Sequence, residues 1–465
     1  MLKRTLFAAI AISLCAGIAV AGSHPGGEAR ELAMGGGPLT PASGLGPNIA
    51  LNPFIFDDPT LMLLNPAYQQ EYRNYGWFNM AGGAVTGQSA DGYGRQFAGA
   101  NFGFGKEATL GVVLSYDPSI TNLMVNQLAS FVNSVGARAA QTGLRPVDVF
   151  EVTGTYDLGS MAVGVGVMYG WAKNTGSNNN PVPVPPGSNS SELSASLFGF
   201  RAGALLDLGG GNSADVSAAL HLDKATDNES FTSNAGVVAN PGNYSASTTE
   251  IQVEGRLKLK MSNKVNFVPY AAFGTVSGQP KQDAPATGVP AFTGSTKLSA
   301  TLITVGAGME YRITNFYFAG GLSYKMSQLK QELTPPLPAT GTTTGTVSAT
   351  EFPLLNMGME WTLLDWLTGR LGYYRTFESI AQKTERPAGG ATTEVDTWFA
   401  NSSVAVGSLT GADNNLITIG LGLHFGNFAL DGTVSDQAIR RGLGLIGSSD
   451  QINTFGYVTA SYCFD

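Results

Sequence analysis

Charge is scarce in this chain of 465 residues: Lys, Arg, Asp and Glu together make up 13%, about half the usual ~25%. Cysteine and histidine are scarcer, with two and three residues, which leaves little material for thiol or metal chemistry. Beyond the N-terminal leader no run of ~18 apolar residues occurs, which excludes an α-helical membrane protein. The mean hydropathy of +0.04 shows that greasy segments have not replaced the missing charge. Disorder is excluded by a hydrophobic share of 43% and an aromatic share of 10%, enough to drive burial. A net charge of −8 with a pI near 5.0 argues against a nucleic-acid partner, which needs a basic face. What is abundant is glycine, 61 residues where ~7% is ordinary. A chain low in charge, rich in glycine and hydrophobic only in alternation is expected to be a transmembrane β-barrel.

The N-terminus reads as a secretory signal. Met1-Leu2-Lys3-Arg4 is basic, Leu6–Val20 is apolar, and Ala19-Val20-Ala21 precedes Gly22, which places cleavage after Ala21. A lipoprotein signal at Cys15 is disfavoured because Leu14 stands where a small residue is needed. Cleavage leaves Cys463 alone in the mature chain, so no intramolecular disulfide is expected.

Period-two alternation tests the barrel expectation. In Met161–Trp171 one parity carries Met161, Val163, Val165, Val167, Tyr169 and Trp171; the other carries Ala162, Gly164, Gly166, Met168 and Gly170. The first reads as a lipid-facing stripe that ends in an aromatic girdle. Ile251, Val253, Leu257 and Leu259 likewise alternate with Glu250, Gln252, Glu254, Arg256, Lys258 and Lys260. Ile303–Tyr311 and Ile417–Phe425 repeat the pattern, with glycine mainly on the inward parity. Glycine there leaves space for a second backbone. Glu254, Arg256, Lys258, Lys260, Glu310 and Arg312 read as a solvated, mutually paired inner wall.

The connections alternate in length. Short links fall at 105–107, 157–160, 207–213, 261–264, 314–315, 363–366 and 426–427. Long ones fall at 87–94, 117–146, 174–190, 224–245, 278–294, 331–345, 378–414 and 435–452. Periplasmic turns and extracellular loops alternate this way. Fifteen connections give sixteen strands between Tyr75 and Phe464, or fourteen if one hairpin is a folded loop. Either even number leaves both termini in the periplasm. The final strand ends on Tyr462 and Phe464, similar to the C-terminal signal read by barrel-assembly machinery, although Asp465 follows the aromatic. Cys463, on the opposite parity, is expected to be inert filling.

Residues 22–74 do not alternate. This segment contains Phe54-Ile55-Phe56 and Leu61-Met62-Leu63-Leu64, too apolar for a linker, and is expected to fold back into the lumen as a plug. The expected organisation is signal peptide 1–21, plug 22–74 and barrel 75–465. Ala29-Arg30-x-x-Ala33-Met34-Gly35-Gly36, followed by Asp57-Asp58-Pro59-Thr60 and Asn65-Pro66-Ala67, resembles the hatch of the FadL/TodX family of long-chain fatty-acid and hydrocarbon transporters. The resemblance implies a barrel (fourteen-stranded in that family) with its hatch in the lumen, and passive uptake of a hydrophobic ligand. It also implies that Asn65, Pro66 and Ala67 form a kink beside that ligand. The chain departs from the family in a longer stretch between Gly37 and Asp57 and in one additional hairpin. Read from the residues alone, the alternative is that Asn65-Pro66-Ala67 is only a helix-start turn.

Within the loop 117–146, Ile120–Val135 has helical periodicity, with Leu123, Met124, Leu128, Phe131 and Val132 on one apolar face. Such a face either receives ligand or packs as a lid. The candidate ligand-binding set is therefore Phe54, Phe56, Leu61, Leu63, Leu64, Asn65, Pro66 and Ala67 together with those five loop residues. Gly442–Gly447 matches G-x-G-x-x-G but lacks a βαβ frame. No G-x-S-x-G occurs, and His221 is the only candidate for an outer-face lipid hydrolase. The expectation is a non-enzymatic, cofactor-free channel in the outer membrane of a diderm bacterium, with outer-membrane lipid, a hydrophobic small molecule and the barrel-assembly machinery as partners. A general porin and a structural barrel that binds protein through its loops are the alternatives.

Overall fold

The computed structural model describes residues 26–37, 51–81, 96–116, 148–180, 187–233, 238–285, 295–334, 342–386, 393–398, 415–434 and 455–464. The expected signal peptide and the helical stretch Ile120–Val135 lie outside the described residues. Among the described residues of 26–74 are one short helix, α1 (Glu28–Ala33), and two 3-10 turns, Pro59–Leu63 and Pro66–Gln70. The remainder is strand: β1 (Tyr75–Ala81), β2 (Gln96–Phe104), β3 (Ala108–Tyr116), β4 (Asp148–Asp157), β5 (Met161–Asn180) and β6 (Gly187–Gly209). There follow β7 (Asn212–Ser233), β8 (Val238–Lys260), β9 (Val265–Pro285), β10 (Ser295–Ile313), β11 (Phe316–Thr334) and β12 (Thr343–Leu364). The last five are β13 (Leu367–Glu385), β14 (Thr393–Trp398), β15 (Asn415–Phe425), β16 (Phe428–Val434) and β17 (Phe455–Cys463).

All neighbours pair antiparallel, and β1 pairs both β2 and β17, so the sheet closes on itself. β14 and β15 both pair β13, at Ser379–Thr384 and Leu367–Arg375 respectively. They are two segments of one wall position, so the seventeen strands make a sixteen-position barrel. Closure leaves no edge to be satisfied in lipid.

The short links become tight turns at one end of the barrel. The alternation places Val165, Val167, Tyr169, Trp171, Ile251, Val253, Val305, Met309, Ile417, Ile419 and Leu421 outward and exposed. The ten residue-to-residue steps from Met161 to Trp171, at ~3.3 Å each and a tilt of ~40°, span about 25 Å, the height of an outer-membrane apolar band. The rings of Tyr169 and Trp171 pair, tilted, near its upper rim; near the short-turn rim Phe316 and Trp361 pair tilted and Trp366 and Phe425 stack.

Several stretches expected to be loops are strand. β5 through β13 run for 19 to 23 residues, about twice what a membrane crossing needs. They carry pairing well into 174–190, 224–245, 278–294 and 331–345, and 378–414 contains the end of β13 and all of β14. Above the lipid both sheet faces tolerate Ser, Thr and Asn, so hydropathy stops alternating although backbone pairing continues.

Candidate functional site

The described residues of the segment 26–74 pack against inward-facing side chains around the barrel, and several of their polar groups find partners on the wall. Asp58 caps the first 3-10 turn by accepting from Thr60 N–H at 2.8 Å, and it also accepts from Gly27 N–H at 3.0 Å and Arg30 at 3.1 Å. Burial pushes the Asp58 carboxyl up to about 6, against the pull of the Arg30 guanidinium. The Glu31 carboxyl is also raised, by burial and by Asp58 beside it. Arg30 donates onward to Glu360 at 3.0 Å, Glu360 accepts from Arg370 at 2.6 Å, and Arg370 pairs with Asp431. Asp431 then accepts from Gly26 N–H at 3.0 Å, which closes a ring of charges between segment and wall. Buried ions are tolerated only with this degree of pairing.

Asn65 caps the second turn, its Oδ1 accepting from Ala67 N–H at 2.9 Å, with Pro66 at the first helical position. This is the helix-start geometry its sequence allows. Its Nδ2 reaches the wall as well, donating to Asp215 at 2.6 Å and to the Val216 carbonyl at 3.2 Å. Tyr68 Oη donates to the other Asp215 oxygen at 3.0 Å. Arg256 completes the clasp: it donates to Asp215, to the Pro53 and Ile55 carbonyls at 3.2 and 2.8 Å, and to Tyr68 Oη. Its guanidinium lies 4.4 Å from the Phe56 ring centre, a cation–π distance. Arg256 and Glu310 therefore differ from the solvated wall expected for them. Both are buried, and Glu310 accepts from Phe56 N–H at 3.3 Å. The apolar parity was legible; the backbone carbonyls waiting opposite those charges were not.

Inward glycines allow this docking. A β-carbon at Gly203 would collide with Asn65, one at Gly164 with the backbone of Ala67, and one at Gly358 with the Met34 carbonyl. Gly308 and Gly321 seat the Phe54 ring in the same way.

The candidate residues of the segment are all buried, but in two separate clusters. Phe54 and Phe56 pack with Met34, Ile55, Val268, Tyr317 and Ala319. Leu61, Leu63 and Leu64 pack with Tyr68, Tyr72, Tyr75, Trp77 and Cys463. Asn65 and Ala67 are buried between turn and wall, with Pro66 beside them. Leu123, Met124, Leu128, Phe131 and Val132 lie outside the described residues. A cavity of about 440 Å³ opens towards the short turns, lined by Phe56, Asp57, Glu71, Lys258 and Arg312 among others. Arg312 and Asp57 pair there at 2.7 Å.

Towards the long-loop end the inner wall changes character. Val276, Leu298 and Ala300 are buried together, with Leu302 and Leu329 against them, and Val347, Ala349 and Ile380 continue the patch. Val276, Ala300, Leu329 and Val347 are successive register partners across β9–β12. Sequence reasoning missed this patch. Its signal is a parity switch: Ile303 and Val305 point outward, whereas Leu298, Ala300 and Leu302 take the inward parity, with Lys297 exposed between strand and solvent.

The candidate hydrolase residue His221 faces the lumen, not the outer face, with Nδ1 3.2 Å from Glu250. Among the described residues no group of three or more His, Cys, Asp or Glu could hold a metal ion.

No family model matches the sequence, and no curated protein matches it. Among solved structures the chain is similar to a FadL homologue of Pseudomonas aeruginosa, at 13% identity and a TM-score of 0.40 over 93% of this chain and 100% of that one. It is similar to the toluene transporter TodX of Pseudomonas putida, at 10% identity and 0.34 over 95% and 97%. The siderophore receptor PiuA of Acinetobacter baumannii is also similar, at 10% identity and 0.33 over 83% and 81%. At such identities and scores, function has to be argued from this chain's own residues.

Proposed function

We propose that the protein is an outer-membrane channel for passive entry of hydrophobic small molecules, with residues 22–74 as its plug. The observation that supports this reading is the apolar inner wall formed by Val276, Leu298, Ala300, Leu302, Leu329 and Val347. A water-filled porin lines its lumen with polar groups, and an apolar inner face above a tightly docked segment suits a ligand that leaves water. Each methylene transferred to such a wall gains about 0.8 kcal/mol, so entry needs no energy source.

In this reading ligand lands on the long-loop side, where the apolar face of Ile120–Val135 belongs, and crosses the Val276–Val347 patch. It reaches the turn Asn65-Pro66-Ala67 and leaves past the plug. Long-chain fatty acids, implied by the resemblance of the hatch residues, are the first compounds to try. The reading assigns the chain no catalysis. The porin alternative draws on the mixed charges of Glu250–Lys260, but Arg256 is occupied by plug carbonyls. Uptake of labelled fatty acid and of toluene by cells producing the intact chain tests the proposal: entry of at least one of them faster than in cells without it is expected, and rates no different from those cells for either compound overturn it.

A further inference from the structure

We infer that the lumen selects amphiphiles with a hydrogen-bond-donating cationic head, a primary ammonium on an apolar body, over carboxylates. The inference rests on the channel reading above and narrows its substrate class. On β7 the inward parity brings His221, Asp223 and Asp227 into one stripe, and the register sets Glu250 of β8 directly beside His221. Both oxygens of Glu250 are engaged, one by His221 Nδ1 and the other by Gln252. Asp223 accepts from Thr248 at 3.0 Å through Oδ2 alone.

His221 Nε2, Asp223 Oδ1 and Asp227 Oδ1 remain without partners, on residues no more than 6% exposed. Buried acceptors left empty cost about 1–3 kcal/mol each, and acceptors left open along one inward stripe suit a donor that moves past them. Asp227 stands four residues, about 13 Å, further towards the long loops, so the stripe offers successive stations to a donor on its way in.

The sign of the head follows from the charges around it. The stripe carries the carboxylates of Asp223 and Asp227, with Glu250 beside His221, against one imidazole; the guanidinium of Arg201 is bound by Glu151 at 2.8 Å through Nε, which matches its charge, and its Nη1 has no partner. A carboxylate head would enter a net acidic surface, whereas an ammonium brings three donors and the complementary charge. The body has a place as well. Glu250, Val276, Ala300, Leu329 and Val347 are consecutive register partners, so an apolar body that starts at His221–Glu250 lies along about 14 Å of apolar wall from Val276 to Val347 at ~4.8 Å per strand.

Equilibrium binding of radiolabelled dodecylammonium, dodecanol and dodecanoate to the intact protein in phosphatidylcholine nanodiscs, with protein-free discs subtracted, tests this. The expected order is ammonium, then alcohol, then carboxylate, with at least tenfold between first and last. Asp223→Asn should reduce that ratio about tenfold, the equivalent of one charge-assisted hydrogen bond, while dodecanol binding changes less than twofold. Retained heat-modifiable migration of the variant shows that its barrel is folded. Dodecanoate binding as tightly as dodecylammonium, or a ratio unchanged in Asp223→Asn, overturns the inference and leaves the channel reading standing. Absence of binding by all three overturns the channel reading itself, and the inference with it.

Discussion

The two halves of the barrel interior are built on opposite terms. Towards the short turns buried charges bind segment to wall: Arg30, Glu360, Arg370 and Asp431 form a ring with Gly26, and Arg256 and Asp215 clasp Tyr68 and Asn65. Towards the long loops an apolar patch lies beside acceptors with no partner. The first half reads as permanent packing of the chain against itself. The second reads as a surface kept for something that comes and goes.

Substitutions in the two halves should therefore have different consequences, and the largest belongs to the clasp. Arg256→Ala leaves Asp215 buried without its charge partner and frees two plug carbonyls. Breaking a buried pair from one side costs about 3–5 kcal/mol. Release of residues 26–74, read as limited proteolysis of the N-terminal segment in a barrel that still shows heat-modifiable migration, is the expected outcome. A segment still resistant to protease would contradict the role of the Arg256 clasp in holding it.

Next in size is Gly203→Val, which places a side chain where Asn65 sits. Overpacking of this kind costs about 1–3 kcal/mol, expected as partial protease sensitivity of the same segment. Gly154, where an added β-carbon meets nothing, supplies the control: Gly154→Ala should change nothing measurable.

How much of this was legible in sequence differs between the halves. Alternation in Met161–Trp171 and Ile417–Phe425 displays the lipid face directly, because lipid imposes one sign of hydropathy on one parity. Glycine at 164 and 420 shows that something approaches the wall, though not what. Arg256 was misread because a charge opposite a backbone carbonyl looks the same in sequence as a charge in water. The apolar patch was missed because strands above the membrane lose the lipid constraint, and the parity switch at Leu302–Ile303 resembles a broken pattern until the register shows which side is inside. His221 is inward because it alternates with the exposed Leu220 and Leu222, and the register pairs it with the inward Glu250.

In the long-loop half the effect should fall on ligand and not on stability. Leu329→Gln, at a half-buried patch position, should weaken dodecanol binding severalfold and shift stability by less than about 1 kcal/mol. Equal loss of both would remove the distinction between the halves.

The smallest expected effect concerns pH. The Asp58 carboxyl is raised by burial from 3.8 to about 6, so the docked segment takes up a proton that the undocked one does not. Docking is then penalised above about pH 6, and the penalty is relieved as pH falls through 6 towards 3.8. Protease resistance of residues 26–74 should rise modestly between pH 7 and 5 in the intact protein and stay flat in Asp58→Asn. A rise of equal size in both would assign the effect to other carboxyls.

The claim underlying this comparison is that residues 22–74 close the short-turn half of an otherwise open barrel. Conductance of the purified intact protein in a planar lipid bilayer tests it most directly. Near silence is the predicted result, with steady currents once those residues are deleted; large steady currents through the intact chain would contradict the account.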